Sequence, residues 1–257
     1  MLEILYQDDY LAVVHKPAGW LVHRTPLDKG ESRVVLQTLR EQIGQPVWPA
    51  HRLDKGTSGV LVFALHAEVA RALGQAFESG NLENGEGLRK TYRAIVRGWP
   101  ADELFIDHPL RRMPDDMRSA REEVQSAQTR LRTLRRGELP IPQGGFASMR
   151  WAEVELQPLT GRRHQLRRHA KHIAHPILGD ATHGKGPLNR AVAAHLGMGR
   201  LWLHAWQLAL RHPVTGAALA IEAPPGPEWA AWDALAPHDR AGTRGVASRI
   251  ADNTGIG

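Results

Sequence analysis

The 257-residue chain contains no cysteine. Disulfides, thiolate nucleophiles and thiolate metal sites are excluded together, and the composition fits a reducing compartment such as the cytoplasm. No segment has the unbroken apolar length of a membrane-spanning helix, so no membrane partner is expected. The opening MLEILYQDDYLAVVHKP is acidic early and reads as strand, not as a signal peptide. Neither a Walker phosphate loop nor a dinucleotide-binding fingerprint occurs. Internal repeats and convincing linkers are also lacking. One domain is therefore expected over residues 1–235. Residues 236–257 are polar and aperiodic and read as a flexible tail.

What the chain does have is positive charge. The net charge is +6 and the isoelectric point about 10, a balance that suits a polyanionic partner but also an ordinary basic enzyme. Placement says more than the total. Residues 161–172, GRRHQLRRHAKH, carry Arg162, Arg163, Arg167, Arg168 and Lys171 with no acid among them.

Hydrophobic periodicity predicts two short strands in residues 3–14, then helices over 32–43 (with Ser32 as N-cap) and 67–79. Further strands are predicted at 60–65, 90–99, 127–136, 150–159, 201–210 and 217–223, and a third helix at 162–174. Residues 80–88 and 137–147 read as loops. Residues 100–125 read as a long Pro-rich, charged excursion, and 175–184 as a turn-rich return. Strands dominate without strict alternation with helices. The expected class is α+β, with a mixed, mostly antiparallel central sheet flanked by helices. The tryptophans at 202, 206, 229 and 232 read as core.

Three stretches invite a chemical reading. HRLDKGTSG (51–59) places Asp54 in a basic, Gly-bounded turn that feeds a strand. Gly56 and Gly59 permit close approach of another backbone, and Thr57 and Ser58 suit local hydrogen bonds. An arginine beside the carboxylate favours its ionised form, which suits a nucleophile or base. A capped turn with a surface ion pair explains the same residues and is the commoner case. In KTYRAIVRG (90–98), Tyr92 stands among Lys90, Arg93 and Arg97, a pattern that suits base stacking with phosphate contact; a core-packing strand tyrosine is the plainer alternative. In the predicted third helix Arg163, Arg167 and Lys171 share one face and Leu166, Ala170 and Ile173 the opposite one. His172 and His175 are three apart, but no nearby carboxylate completes a metal triad and the arginines oppose a cation.

Taken in order, HKPAGWLVH (15–23), HRLDKGTSGVLVFA (51–64), KTYRAIVRG (90–98) and LTGRRHQLRRHAKHIAHPILGD (159–180) resemble the successive motifs of the RluA-type pseudouridine synthases. The resemblance covers residues 2–224. The ILYQDD opening and GDATHG (179–184) are more similar to a tRNA-acting branch than to the ribosomal-RNA branches. A tyrosine is common in those where this chain has His183. The motifs also begin at the chain start, whereas many relatives carry an extra small RNA-binding domain. Two departures are His15, where asparagine is usual, and an apparent insertion at 82–88.

The resemblance implies a pseudouridine synthase catalytic domain with a basic active-site cleft. It implies isomerisation of a uridine in the T-arm stem of tRNA, nucleotide 65, with ribosomal RNA as the alternative substrate. A non-catalytic RNA-binding protein on the same fold is the rival from another class. Asp54 matches the catalytic aspartate. Arg52 matches the arginine that enters the RNA stack, Tyr92 the tyrosine that stacks on uracil, Arg167 the basic partner of the aspartate. Leu203 matches a wall of the uracil pocket. The isomerisation loses no atom, so no cofactor and no metal are expected. RNA is the expected partner, and no obligate protein partner is inferred.

Overall fold

The computed structural model describes residues 1–24, 30–79, 87–113 and 123–235. In chain order the elements begin with β1 (Glu3–Gln7), β2 (Leu11–Lys16), α1 (Val35–Ile43), β3 (Trp48–Pro49), β4 (Ser58–Ala64) and α2 (Ala67–Ser79). Next come β5 (Arg89–Arg97), β6 (Glu103–Asp107), β7 (Leu110–Arg111), β8 (Val124–Gln125), β9 (Gln128–Leu139) and β10 (Met149–Pro158). The last are α3 (Gln165–His172), α4 (Gly186–Leu196), β11 (Leu203–Arg211), β12 (Ala218–Glu222) and α5 (Ala230–Asp233).

The main sheet runs β1-β2-β4-β11-β5-β10-β9-β6, with β12 on β11 and β3 on β4. Among the described strands β4 and β11 pair in parallel, and the other pairs of this sheet are antiparallel. The class is the α+β, mostly antiparallel one expected. Alternation along each strand sends neighbouring side chains to opposite faces, and both faces are covered. On β4, Leu61 and Phe63 pack with Val35 and Leu39 of α1, and Val60 and Val62 with Val69, Leu73 and Phe77 of α2. On β5, Ala94 and Val96 pack with Leu166 and Ala170 of α3. Ile95 between them joins Trp151, Trp202, Trp229, Trp232 and Val192 of α4.

The structure departs from the sequence reading at several places. α1 begins at Val35 with Val34 as its N-cap and no side-chain cap, because Val34 and Val35 are drawn inward beside Leu21, whose carbonyl accepts from Val35 N at 2.8 Å. α3 begins at Gln165: His164, its N-cap, has φ 55°, in the left-handed region. Within 100–125, β6 adds to the main sheet beside β9, and β7 and β8 form a separate pair. α4 went unrecognised, although Pro at its start and Gly197 (φ 69°) at its end mark it; Val192 is its one buried residue, so its periodicity is faint. Trp206 lies half-exposed under the Arg93 guanidinium, 4.0 Å from its ring centre, whereas Trp202, Trp229 and Trp232 are buried. The expected tail at 236–257 and most of the 82–88 insertion lie outside the described residues. Among the described residues no helix is long and apolar enough to cross a membrane.

Candidate active site

The turn 50–57 carries Asp54 from β3 into β4, and two features fix its path. Lys16, fully buried, donates from Nζ to the carbonyls of Pro17 (3.0 Å), Lys55 (3.1 Å) and Thr57 (2.7 Å). Burial lowers its pKa, yet three acceptors match the three N–H groups of an ammonium. Gly59 has φ +113°, and a Cβ there would lie 2.1 Å from the Ala205 carbonyl oxygen. Only glycine lets β4 run so close to β11. Ser58, expected to bond locally, instead joins distant elements: its Oγ meets His204 Nδ1 at 2.8 Å and accepts from Arg200 Nη2 at 2.7 Å.

Asp54 stands half-buried at the end of this turn and meets a cation from 113 residues away. Arg167 Nη1 donates to Asp54 Oδ2 at 2.8 Å. The rest of the Arg167 fork is used on Asp180, with Nε to Oδ2 at 2.7 Å and Nη2 to Oδ1 at 2.8 Å. Asp180 also accepts the backbone N–H groups of Thr182 and His183 at 2.9 Å each. The Asp180 side chain is fully buried and that of Arg167 nearly so. Burial works against the Arg167 charge, but its two carboxylate partners outweigh it and raise its pKa. Burial likewise opposes the Asp180 charge, and Arg167 with the two N–H donors lowers its pKa nonetheless. The guanidinium is thus a rigid bracket that holds the Asp54 side chain in one rotamer.

Asp180 escaped the sequence reading, and so did its support. Gly179 has φ +76°, and a Cβ there would lie 1.7 Å from the Arg200 carbonyl oxygen. Asn189 of α4 clasps the same loop, accepting from Gly179 N at 3.0 Å and donating to the Asp180 carbonyl at 2.9 Å. The signal was the Gly-Asp pair that closes the last motif; its buried partner could not be read from spacing. Arg167 itself is corrected: it does not share an exposed cationic face with Arg163 and Lys171. It faces inward, and Arg163 and Lys171 stay exposed.

All five residues singled out from sequence line one cleft of about 630 Å³: Arg52, Asp54, Tyr92, Arg167 and Leu203, with Lys90 beside them. Arg52 is exposed on its rim. Tyr92 packs on Ala205 and Leu203 at the base, and burial followed by the Asp54 charge pushes its phenol pKa up. It therefore offers a ring face and a protonated hydroxyl. Lys90 is lowered to about 8 by burial and stays cationic at pH 7. Arg93 and Arg97, grouped with Tyr92 in the sequence, are used elsewhere: Arg93 pairs with Glu153 at 2.9 Å, and Arg97 donates to the Ala174 carbonyl at 3.1 Å.

The cleft continues into a groove of about 300 Å³ lined by Arg52, Arg111, Arg112, Arg162, Arg163 and Arg168. Among the described residues Asp54 is the one acid in its lining. Arg168 donates to the Arg111 carbonyl at 2.9 Å and Arg162 to the Ser126 carbonyl at 3.0 Å, so the β7–β8 pair is tied to α3. The histidines that invited a metal reading are engaged separately. His172 stacks on His108 with ring centres 3.6 Å apart, and His175 Nδ1 meets the Arg97 carbonyl at 2.8 Å.

A carboxylate held beside a stackable tyrosine, in a cleft that opens into an arginine-lined groove, fits an extruded base on a phosphate backbone. Comparison with known proteins gives this arrangement a family. Residues 10–172 match the family model described as RNA pseudouridylate synthase. The chain is 50% identical over 227 residues to tRNA pseudouridine synthase C of Vibrio cholerae, covering 87% of this chain and 91% of that one. It is also 50% identical over 227 residues to the Salmonella typhi protein of the same name, covering 87% and 85%. Human RNA Pseudouridylate Synthase Domain Containing 1 shares the fold, with a TM-score of 0.70 at 24% identity over 93% of this chain and 89% of that one. The chain belongs to the RNA pseudouridylate synthase family.

Proposed function

We propose that this chain isomerises one uridine of tRNA to pseudouridine, in the T-arm stem at nucleotide 65, and that it works in the cytoplasm without cofactor. The names of its relatives support tRNA as the substrate. The observation that carries the chemistry is Asp54, fixed at the base of the cleft by Arg167, which is fixed in turn by buried Asp180. A carboxylate so placed reacts with the uracil ring or C1′, or takes a proton from C2′.

Tyr92 stacks on the extruded uracil and Leu203 walls its pocket. Arg52, on the rim, fills the gap left in the RNA stack. Extrusion from a paired stem costs a few kcal/mol, and these interactions offset it. The groove from Arg111 to Arg168 takes the phosphates beside the target, which makes binding salt-sensitive.

The test uses tRNA and ribosomal RNA from cells lacking this protein, treated with the purified wild type or Asp54→Asn, without metal or cofactor, followed by chemical mapping of pseudouridine. A T-arm pseudouridine formed by the wild type alone is the expected result. A mark confined to ribosomal RNA would overturn the substrate. Activity retained by Asp54→Asn would overturn the role of Asp54, and tight binding with no product would leave an RNA-binding protein.

A further inference from the structure

Isomerisation of uridine moves a proton as well as a glycosidic bond. Joining C1′ to C5 leaves C5 carrying the sugar and its original hydrogen. That proton must leave, its C–H electron pair restoring the C5–C6 double bond, while N1 gains a proton. Several groups lining the cleft are unsuited to accept it at neutral pH. Tyr92 already holds its proton, and Lys90, at about 8, is an ammonium. His51 is lowered to about 3, chiefly by burial, which makes it a very weak base; it lies stacked on Phe77 with Nε2 against Val62 N at 3.2 Å.

We propose that His164 is the base that takes the C5 proton, and that His183 is its positioning residue. His164 lines both the cleft and the groove, and its Nε2 lies 3.6 Å from Asp54 Oδ1. Its Nδ1 is 3.1 Å from His183 Nε2, with the two rings edge to face. The ring reaches this place because His164 takes the left-handed conformation, φ 55°, just before α3. Such backbone is uncommon outside glycine and gathers at functional sites. When His164 donates its Nδ1–H to His183 Nε2, the Nε2 lone pair faces the Asp54 side of the cleft. After taking the proton, the imidazolium lies between the Asp54 carboxylate and the His183 nitrogen, and both stabilise it. The proton then passes to N1, directly or through solvent, so none is gained or lost.

The surroundings agree. Burial lowers the His164 pKa, and Arg167, His183 and Arg163 add to the drop while Asp54 opposes it, so the ring is neutral at pH 7. His183 is lowered by burial too, with Arg167, Lys171 and Arg168 adding to the drop and Asp180 opposing it.

The inference rests on the proposed uridine isomerisation, and one experiment separates the two. Single-turnover rates are measured with tRNA carrying hydrogen or deuterium at uracil C5, for the wild type, His164→Gln and His183→Gln, with tRNA affinity and thermal melting as controls. Loss of the base should slow His164→Gln on the order of 10²–10⁴-fold. It should also raise the deuterium isotope effect above that of the wild type, with affinity unchanged. His183→Gln should be slowed less and should shift the acid limb of the rate–pH profile. An unchanged rate in His164→Gln, or a slower one without a larger isotope effect, would overturn the inference. If His164→Gln fails to fold, a His183→Gln pH profile identical to the wild type's would do the same. A wild type that forms no pseudouridine removes both readings, whereas an active wild type with indifferent variants removes this one alone.

Discussion

Replacing Asp180 with asparagine keeps the side-chain shape and removes one charge from a buried pair. In the native site Oδ2 accepts Arg167 Nε, and Oδ1 accepts Arg167 Nη2 and the N–H groups of Thr182 and His183. An asparagine has one acceptor oxygen. If the oxygen takes the Oδ1 place, the amide NH2 confronts Arg167 Nε, donor against donor. If it takes the Oδ2 place, three donors are left without their acceptor. Removing one partner of a buried ion pair costs about 3–5 kcal/mol. For a chain of this size that lowers Tm by roughly 10 °C. The freed guanidinium no longer holds Asp54 in one rotamer, and a misplacement near 1 Å costs about 10²-fold in kcat. Differential scanning calorimetry reads the first effect and single-turnover pseudouridine formation the second. The double variant Arg167→Met, Asp180→Leu removes both charges but leaves the Thr182 and His183 N–H groups without their acceptor, so it should recover only part of the Tm and none of the activity. An Asp180→Asn protein that melts within about 2 °C of the wild type and keeps its kcat would refute the bracket argument.

Gly179→Ala forces a Cβ against the Arg200 carbonyl at φ +76° and should cost more than about 4 kcal/mol in chemical denaturation. Gly197→Ala, at φ +69° with open space around it, should cost only about 1–2 kcal/mol. Acid should destabilise the protein through two imidazoles, His204 buried and His51 half-buried in the cleft wall. His51 and His204 are depressed to about 3 and about 4, chiefly by burial, so the unfolded chain binds more protons and stability falls as pH drops below about 6.5. Each contributes a loss of about 2 kcal/mol between pH 7 and pH 5, readable from urea midpoints. Arg111→Ala with Arg112→Ala should weaken tRNA binding and leave kcat nearly unchanged. The slope of log affinity against log salt should fall by roughly 0.7–0.9 for each phosphate that is no longer neutralised.

Most strands of the main sheet and the presence of α1–α3 were legible because their apolar residues recur at the periods of strand and helix. Asp54, Arg52, Tyr92, Arg167 and Leu203 were legible because long motifs carry them, and the fold brings all five to one cleft. Other features were not. α4 hides a weak stripe behind its proline and glycine. The start of α3 depends on a left-handed histidine, a conformation no propensity announces. Trp206 read as core because its size suggested burial, and it is the Arg93 cation over its ring that explains its half-exposed place.

By itself, the sequence determined the class, the family resemblance and the motif residues that line the cleft, since period and motif order are local properties of the chain. Only the tertiary structure decided which groups meet. It turned Arg167 away from the solvent face and onto Asp54, supplied Asp180 as the second carboxylate, and set His164 and His183 edge to face beside them. Those interactions join residues from 13 to 113 positions apart. The cost of burying a charge, which selects such partners, exists only once packing has removed the water.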